Sequence, residues 1–334
     1  MRSATSKSSA TSLKSPLPQP RPRRWLRPHA PLPSRTVAAR WLDLVDPTRE
    51  EVLAALPVQV DPEVVEMLAS PSSDRDPRPL LEGHGSYVFG VLVAMLPFGD
   101  EHHVSHQEVC IVATPERLVT VRKTPPRGPA YDASVLEAAA ADTTVGVLIH
   151  RLVDDVADTY LDLLDAIFAE IDALEDRIDE MRPGAVRLRL SELRHELLHR
   201  RRTVSATRGA LRRVLDGRIE VGDHGLFPSD VERLFGDTYD TLVRVTEELD
   251  IARDLLSGVR DHLQSKIAEN QNEVGKKLTV IASLVLVPSL VVGFYGQNFS
   301  GEFGKGFWTL GVSTGLILVS TVVQLALFRW RRWI

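Results

Sequence analysis

Two apolar runs at the end of the chain limit what it can fold into. The first covers residues 278–294 within KKLTVIASLVLVPSLVVGFYGQN (Lys276 to Asn298) and contains no charged side chain; the second covers residues 307–328, with eight residues between Asn298 and its start. Each is about 20 residues, the length an α-helix needs to cross roughly 30 Å of hydrocarbon. One such run fits a buried core helix. Two in tandem, joined by Gly-rich polar sequence, predict a transmembrane hairpin. Lys276 and Lys277 precede the first run, and Arg329, Arg331 and Arg332 follow the second. Basic residues beside span ends stay in the cytoplasm, so both outer ends are expected inside and residues 299–306 form the outer loop. Trp308 suits the outer interface; Trp330 and Trp333 suit the cytoplasmic one.

The remaining length holds one soluble domain of about 200 residues. The single cysteine, Cys110, excludes an intrachain disulfide and fits a reducing compartment. Charge is unevenly spread. Nine of the 40 Lys and Arg residues, and none of the 45 Asp and Glu residues, fall within residues 1–40, leaving 31 cations against 45 anions in the rest. So acidic a body repels nucleic-acid phosphates and suits cations.

Residues 1–36, rich in Ser, Pro and Arg, have almost nothing to bury and are expected to be disordered. They read as a solvated tail or as a basic arm touching anionic lipid. An α/β and helical domain is expected over 37–228. Residues 39–45 read as a strand, followed by a helix opened by Asp46, Pro47 and Thr48. Residues 68–82 read as loop. Val- and Ile-rich strands follow at 87–96, 108–114 and 118–123, giving a small mixed sheet.

Beyond Asp132 the pattern is helical. Val156, Tyr160, Leu163, Ile167, Ile171, Leu174, Ile178 and Met181 form one apolar stripe that Pro183 and Gly184 end, and an Arg-rich helix spans 186–216. Its run His199 to Arg202 reads as a solvated face or an anion site. A stalk helix over 229–277 starts at Ser229 and Asp230. Its stripe runs through Val231, Leu234, Thr238, Leu242, Val245, Leu249, Ala252, Leu256, Val259, Leu263 and Ile267, and no break occurs before the first span (278–298). Such a rod of about 100 Å is expected to pack against copies of itself or against partner helices, and an oligomer is expected. The outer loop (299–306), a second span (307–328) and a basic cytoplasmic tail (329–334) complete the chain. Gly311 and Gly315, a small-xxx-small pair, are expected to let the second span pack closely on the first.

Four stretches in order resemble the CorA-type divalent metal-ion channels, two-span proteins whose first span ends in Gly-Met-Asn. WLDLVDPTREE (Trp41 to Glu51) is similar to the family's opening strand and helix, and FGDTYD (Phe235 to Asp240) to its Phe-x-Asp-x-Tyr-Asp. NEVGKKLT (Asn272 to Thr279) is similar to the entry of its pore helix, and YGQNF (Tyr295 to Phe299) to its signature. The resemblance covers residues 37–334. It implies an α/β cytoplasmic domain with a long helical stalk and a two-helix transmembrane hairpin, assembled as a homo-pentameric funnel in the inner membrane. It implies Mg²⁺, with Co²⁺ or Ni²⁺, as substrate and as regulatory ligand, with no other cofactor and no enzymatic activity.

By the same resemblance Tyr295, Gly296, Gln297 and Asn298 form the selectivity filter, while Asn272, Leu278, Ser283 and Leu286 line the pore. Asp237, Asp261 and, more loosely, Asp100 take the places of regulatory Mg²⁺ ligands between subunits. Magnesium keeps its hydration shell, so a ring of neutral acceptors, the Gly296 carbonyl and the Asn298 amide oxygen, is a fitting outer filter. Gly296 is expected to let the backbone leave the helix and turn its carbonyl to the axis. The structural alternative is a plain Gly-Asn helix stop. Gln297 departs from the signature methionine and leaves ion preference open.

His102, His103 and His106 share one connection and form a candidate transition-metal set, or a solvated loop tip. Residues 301–306 echo a phosphate loop without its spacing. The competing functions are a ZntB-type zinc transporter and a membrane-tethered coiled-coil sensor without transport, although eight loop residues leave no room for an external ligand domain. No nucleophile–base pair supports an enzyme.

Overall fold

The structure is a computed structural model describing residues 35–37, 40–72, 78–98, 103–126, 128, 130–137, 139, 143–178, 180–221, 225–297 and 307–333. Six strands, β1 (Arg35–Val37), β2 (Trp41–Val45), β3 (Leu80–Gly83), β4 (Val88–Phe98), β5 (His103–Ala113) and β6 (Leu118–Arg122), form one sheet in the order β1-β2-β6-β5-β4-β3. β2 and β6 run parallel, with Asp43 opposite Thr120, and every other pair is antiparallel. The sheet is mixed, as the sequence implied.

Two strands and a helix were not visible in the sequence. β1 falls partly in the stretch expected to be tail, where Arg35 pairs with Leu44 and Val37 with Leu42. β3 and the end of α2 (Pro62–Ala69) fall within the stretch expected to be loop. Prolines bound these elements rather than interrupt them: Pro62 sits in the first turn of α2, where its missing N–H costs nothing. α1 (Arg49–Ala55) opens with a capping box. The Glu51 amide donates to Thr48 Oγ1 at 3.3 Å, and the Thr48 amide donates to Glu51 Oε2 at 2.8 Å.

Both sheet faces are covered. α1 and α2 pack on one face against Leu42, Leu44, Phe89, Val112 and Val119. On the other, α4 (Val145–Asp176) covers Trp41, Leu92, Ile111 and Leu118 with Leu148, Leu152 and Val156. A short α3 (Ser134–Glu137) leads into α4. Tyr160 of α4 donates to the Val93 carbonyl at 2.7 Å, and the Met95 amide donates to Thr159 Oγ1 at 3.1 Å, so helix and sheet are joined by hydrogen bonds as well as by apolar contact.

A buried polar network runs through this layer. Asp43 and Arg122, 0% and 4% exposed, form a two-pronged ion pair, with Nη2 to Oδ2 at 2.6 Å and Nε to Oδ1 at 3.1 Å. Thr120 donates to Asp43 Oδ1 at 2.6 Å and accepts from Trp41 Nε1 at 3.0 Å. Arg122 Nη1 reaches the Tyr131 carbonyl, and the Tyr131 hydroxyl reaches Asp155 on α4.

On the other face Glu108 Oε1 accepts from Lys123 Nζ at 2.5 Å and from Cys110 Sγ at 3.1 Å, all three residues being buried. Burial, then the Glu108 charge, pushes the Cys110 thiol well above its ordinary pKa. Because the thiolate is the nucleophile, Cys110 is expected to resist maleimide in the native protein at neutral pH and to react fully in denaturant. Mass spectrometry of the labelled protein checks this; fast native labelling would contradict it.

α5 (Pro183–Leu215) returns alongside α4 and is followed by α6 (Ser229–Gln297) and α7 (Phe307–Trp330). α4 ends at Asp176, earlier than the stripe predicted: Ile178 and Met181 lie in the turn that follows, and Pro183 and Gly184 open α5 rather than close α4. Arg189 of α5 reaches Glu170 of α4 at 2.5 Å and Arg201 reaches Asp250 of α6 at 2.9 Å, which locks the three helices in register. The Arg-rich run is thus no uniform solvated face: Arg200 is buried and pairs with Glu196 at 2.7 Å.

Candidate functional site

α6 is a single helix of 69 residues, about 100 Å long. Its first half is covered by its own chain. Val231, Thr238, Leu242, Val245, Leu249, Ala252, Leu256, Val259 and Leu263 are buried against α4 and α5. Of the two expected covers for this stripe, other copies or partner helices, the second is what the chain uses: α4 and α5 cover it. Leu234, counted with the stripe, is 36% exposed, and Phe235 takes the buried place. A second strip of α6, including Leu234, Ile251 and Leu255, stays exposed in the protomer. An apolar cleft of about 310 Å³ lined by Pro183, Ile267, Asn270, Gln271 and Val274 sets the α4–α5 turn beside α6, just before Lys276.

The second half of α6 and all of α7 are of a different kind. Both are long and apolar enough to cross a membrane, and little of either is covered: Leu286 is 70% exposed and Leu290 71%. Side chains of this size leave water at roughly 25 cal/mol per Å², so a strip this bare requires lipid or neighbouring helices around it. α6 continues through Pro288. The Gly311–Gly315 expectation is not met within the protomer, because a Cβ at either position would touch nothing within 4 Å.

At its C-terminal end α6 remains helical through Tyr295, Gly296 and Gln297. The expectation that the backbone leaves the helix at Gly296 is corrected. The last four carbonyls of a helix carry the negative end of its dipole. Gly296 and Gln297 are among these four. The negative end of the α6 dipole therefore lies at Gly296 and Gln297. Tyr295 packs edge-on against Phe294, with ring centroids 5.8 Å apart. Asn298 lies outside the described residues, as do residues 299–306 and Asp100.

Asn272, Leu278 and Leu286 are exposed in the protomer and Ser283 is half-buried. At 100° per residue Asn272, Ser283 and Leu286 fall within about 60° of one another, whereas Leu278 stands roughly 80° or more away. Ser283 donates its proton to the Thr279 carbonyl at 2.7 Å, which leaves its oxygen as an acceptor.

Asp237 and Asp261 are both exposed on α6. Beside Asp237 sits a cluster the sequence did not reveal. Thr238, 1% exposed, donates to Asp154 Oδ1 of α4 at 2.8 Å and contacts His150 Nε2 at 3.1 Å. With the Thr238 proton spent on Asp154, His150 Nε2 carries the proton of that contact. The His150 ring meets Phe235 edge-on at 5.4 Å, and Phe235 meets Phe227 at 5.3 Å. Burial lowers the His150 pKa, opposed by the charges of Asp154 and Asp237. The start of α6 is held against α4 by Gly146, where any Cβ would lie 2.3 Å from the Leu226 carbonyl oxygen.

The His expectation is corrected. His103 and His106 belong to β5, opposite Phe98 and Met95, and not to a loop tip; His102 lies outside the described residues. Among the described residues no group of three or more His, Cys, Asp or Glu forms a metal site.

An α/β body on a helical stalk that runs into the first of two apolar helices, each long enough to cross a bilayer, defines the architecture of a two-span membrane protein. The family described as CorA-like Mg²⁺ transporter protein matches residues 38–331. The chain belongs to this family and is a CorA-family divalent cation transporter. It is 26% identical over 267 residues to the cobalt/magnesium transport protein CorA of Thermotoga maritima, covering 77% of this chain and 73% of that one. It is 25% identical over 230 residues to the divalent cation transporter CmaX of Pseudomonas aeruginosa, covering 67% of each. The complete structure of the CorA magnesium transporter from Methanocaldococcus jannaschii superposes with a TM-score of 0.71 at 19% identity, covering 88% of this chain and 91% of that one. That match establishes the fold.

Proposed function

We propose that the protein is a homo-pentameric channel passing Mg²⁺, and also Co²⁺ or Ni²⁺, into the cell down the membrane potential. It sits in the inner membrane with both termini cytoplasmic, residues 37–228 and 229–277 forming the body and stalk. The observation that carries this reading is Tyr295-Gly296-Gln297-Asn298 at the carbonyl end of the first of two apolar helices, in a chain matched along residues 38–331 by a Mg²⁺ transporter family. A potential of 100 mV supplies about 4.6 kcal/mol per divalent ion, so no nucleotide is needed. Tyr295, Gly296, Gln297 and Asn298 select the hydrated ion. Asn272, Leu278, Ser283 and Leu286 line the conduit. Asp237 and Asp261, with Asp100 across the interface, bind intracellular Mg²⁺ and hold the pore shut when it is abundant. Acids facing each other between subunits repel unless a cation sits between them, so loss of the ion shifts the population towards the open state.

Gln297 favours a comparison with zinc. It replaces a thioether with an amide, a harder, oxygen-bearing group that interacts with hydration water rather than with the metal itself. Uptake into dye-loaded liposomes, with Mg²⁺ and Zn²⁺ compared under an inside-negative potential and under a proton gradient, tests the reading. Potential-driven Mg²⁺ entry is expected, and Gln297→Met is expected to alter the Mg²⁺ to Co²⁺ ratio while keeping Mg²⁺ flux. Zn²⁺ flux that follows the proton gradient would replace this reading with a zinc transporter. No flux from intact oligomers would leave a tethered sensor.

A further inference from the structure

Most Ser and Thr hydroxyls described along α6 spend their proton on their own helix. Thr241, Thr246, Ser257, Thr279, Ser283 and Ser289 each donate to the carbonyl four residues back, at 2.7–3.3 Å. Thr238 is different. Its own Leu234 carbonyl is 3.4 Å away, while Asp154 of α4 is at 2.8 Å and His150 of α4 at 3.1 Å. The next residue of α4, Asp155, accepts from the Tyr131 hydroxyl, and the Tyr131 carbonyl accepts from Arg122, which pairs with Asp43 in the sheet. Asp154 and Asp155 therefore join two systems: one reaches the sheet and the other reaches the turn of α6 that carries Asp237.

We propose that Thr238 is a positioning residue for cation sensing: it clamps the Asp237 turn of α6 to Asp154 of α4, so that occupancy at Asp237 is felt by the α/β body. The proposal rests on the reading of Asp237 as a ligand for intracellular Mg²⁺. Thr238 is buried and does not itself touch the ion. A side chain that only filled space would serve as well without its hydroxyl, because valine has nearly the same shape. The hydroxyl aimed at another helix is what distinguishes a clamp from packing. The clamp spans 84 positions of sequence, so it reports on the relative placement of two helices rather than on either alone.

The test uses the full-length protein in liposomes, with Mg²⁺ influx measured at a series of internal Mg²⁺ concentrations. Thr238→Val is expected to raise the internal Mg²⁺ needed for half-maximal closure by about fivefold or more, while influx at very low internal Mg²⁺ stays at the wild-type level. Thr238→Ser, which restores the hydroxyl, is expected to return the half-maximal value to that of the wild type. Asp154→Ala, at an exposed position, is expected to reproduce Thr238→Val and keeps the test decisive should the valine variant fold poorly. A wild-type response in both Thr238→Val and Asp154→Ala, with Asp237→Ala losing closure, would overturn the clamp and leave the sensor reading in place. Equal loss of closure in Thr238→Val and Thr238→Ser would also overturn it, since the hydroxyl would then not matter. A wild-type channel indifferent to internal Mg²⁺ would remove the sensor reading and the clamp together.

Discussion

Arg122→Met is expected to destabilise the α/β body by about 3–5 kcal/mol, the cost of leaving one member of a buried ion pair without its partner. Asp43 is fully buried, and two of its contacts come from Arg122 Nε and Nη2. After the substitution the Thr120 hydroxyl, at 2.6 Å, is the side-chain donor that carboxylate keeps among the described residues. The Tyr131 carbonyl loses its donor as well. Urea unfolding of the detergent-solubilised protein, followed through tryptophan fluorescence, gives the number, since Trp41 lies in the same network. The double variant Asp43→Leu/Arg122→Met removes both charges and is expected to recover most of the loss, because replacing a buried pair by apolar groups of similar volume is often close to neutral. A single variant as stable as the wild type would show that water reaches Asp43 and that the pair is not dry.

That network also marks the limit of what the sequence can tell. The spans and α6 were legible because their signals are local: an uncharged run long enough for a bilayer, and threes and fours without a break from Ser229 onward. β4, β5 and β6 were legible from runs of Val and Ile between turn residues. β1 and β3 were not. Each is an edge strand of three or four residues whose existence depends on a partner elsewhere, β2 for one and β4 for the other. Periodicity showed that α6 has an apolar stripe but not what covers it. α4 and α5 do so, and that is a statement about distant sequence.

The candidate site divides in the same way. Gly296, Gln297 and Asn298 stood out by type and by place, at the end of an apolar helix. The geometry of Gly296 did not: a glycine permits the chain to leave a helix, and here the helix continues one residue past it. Leu278 and Leu286 were grouped by resemblance, and only the helical angle separates them. Thr238 left no trace in the sequence, because a threonine in a buried stripe at helical spacing looks like any core position. Only its distance to Asp154 distinguishes it.

Asn298→Ala is expected to reduce Mg²⁺ influx by about two orders of magnitude or more, with the oligomer and the fold unchanged. A hydrogen bond to a charged partner contributes about 1.5–3 kcal/mol, and an ion's tightly held water shell passes that charge on to the acceptors around it. In a symmetric ring the loss recurs at every subunit, so even the low end of that range multiplies into near-complete block. The carbonyl end of α6 remains in the variant, which separates the amide oxygen from the helix dipole as the source of selection. If both act, Asn298→Ala still admits a trickle of divalent ions, and Asn298→Asp, which restores an oxygen and adds charge, binds Mg²⁺ more tightly but passes it slowly, since a filter must release what it holds. Liposome flux at matched protein density, with oligomer size checked by light scattering, measures both variants. Wild-type influx through Asn298→Ala would place the filter elsewhere along α6, and the exposed face carrying Asn272, Ser283 and Leu286 would be the next segment to probe.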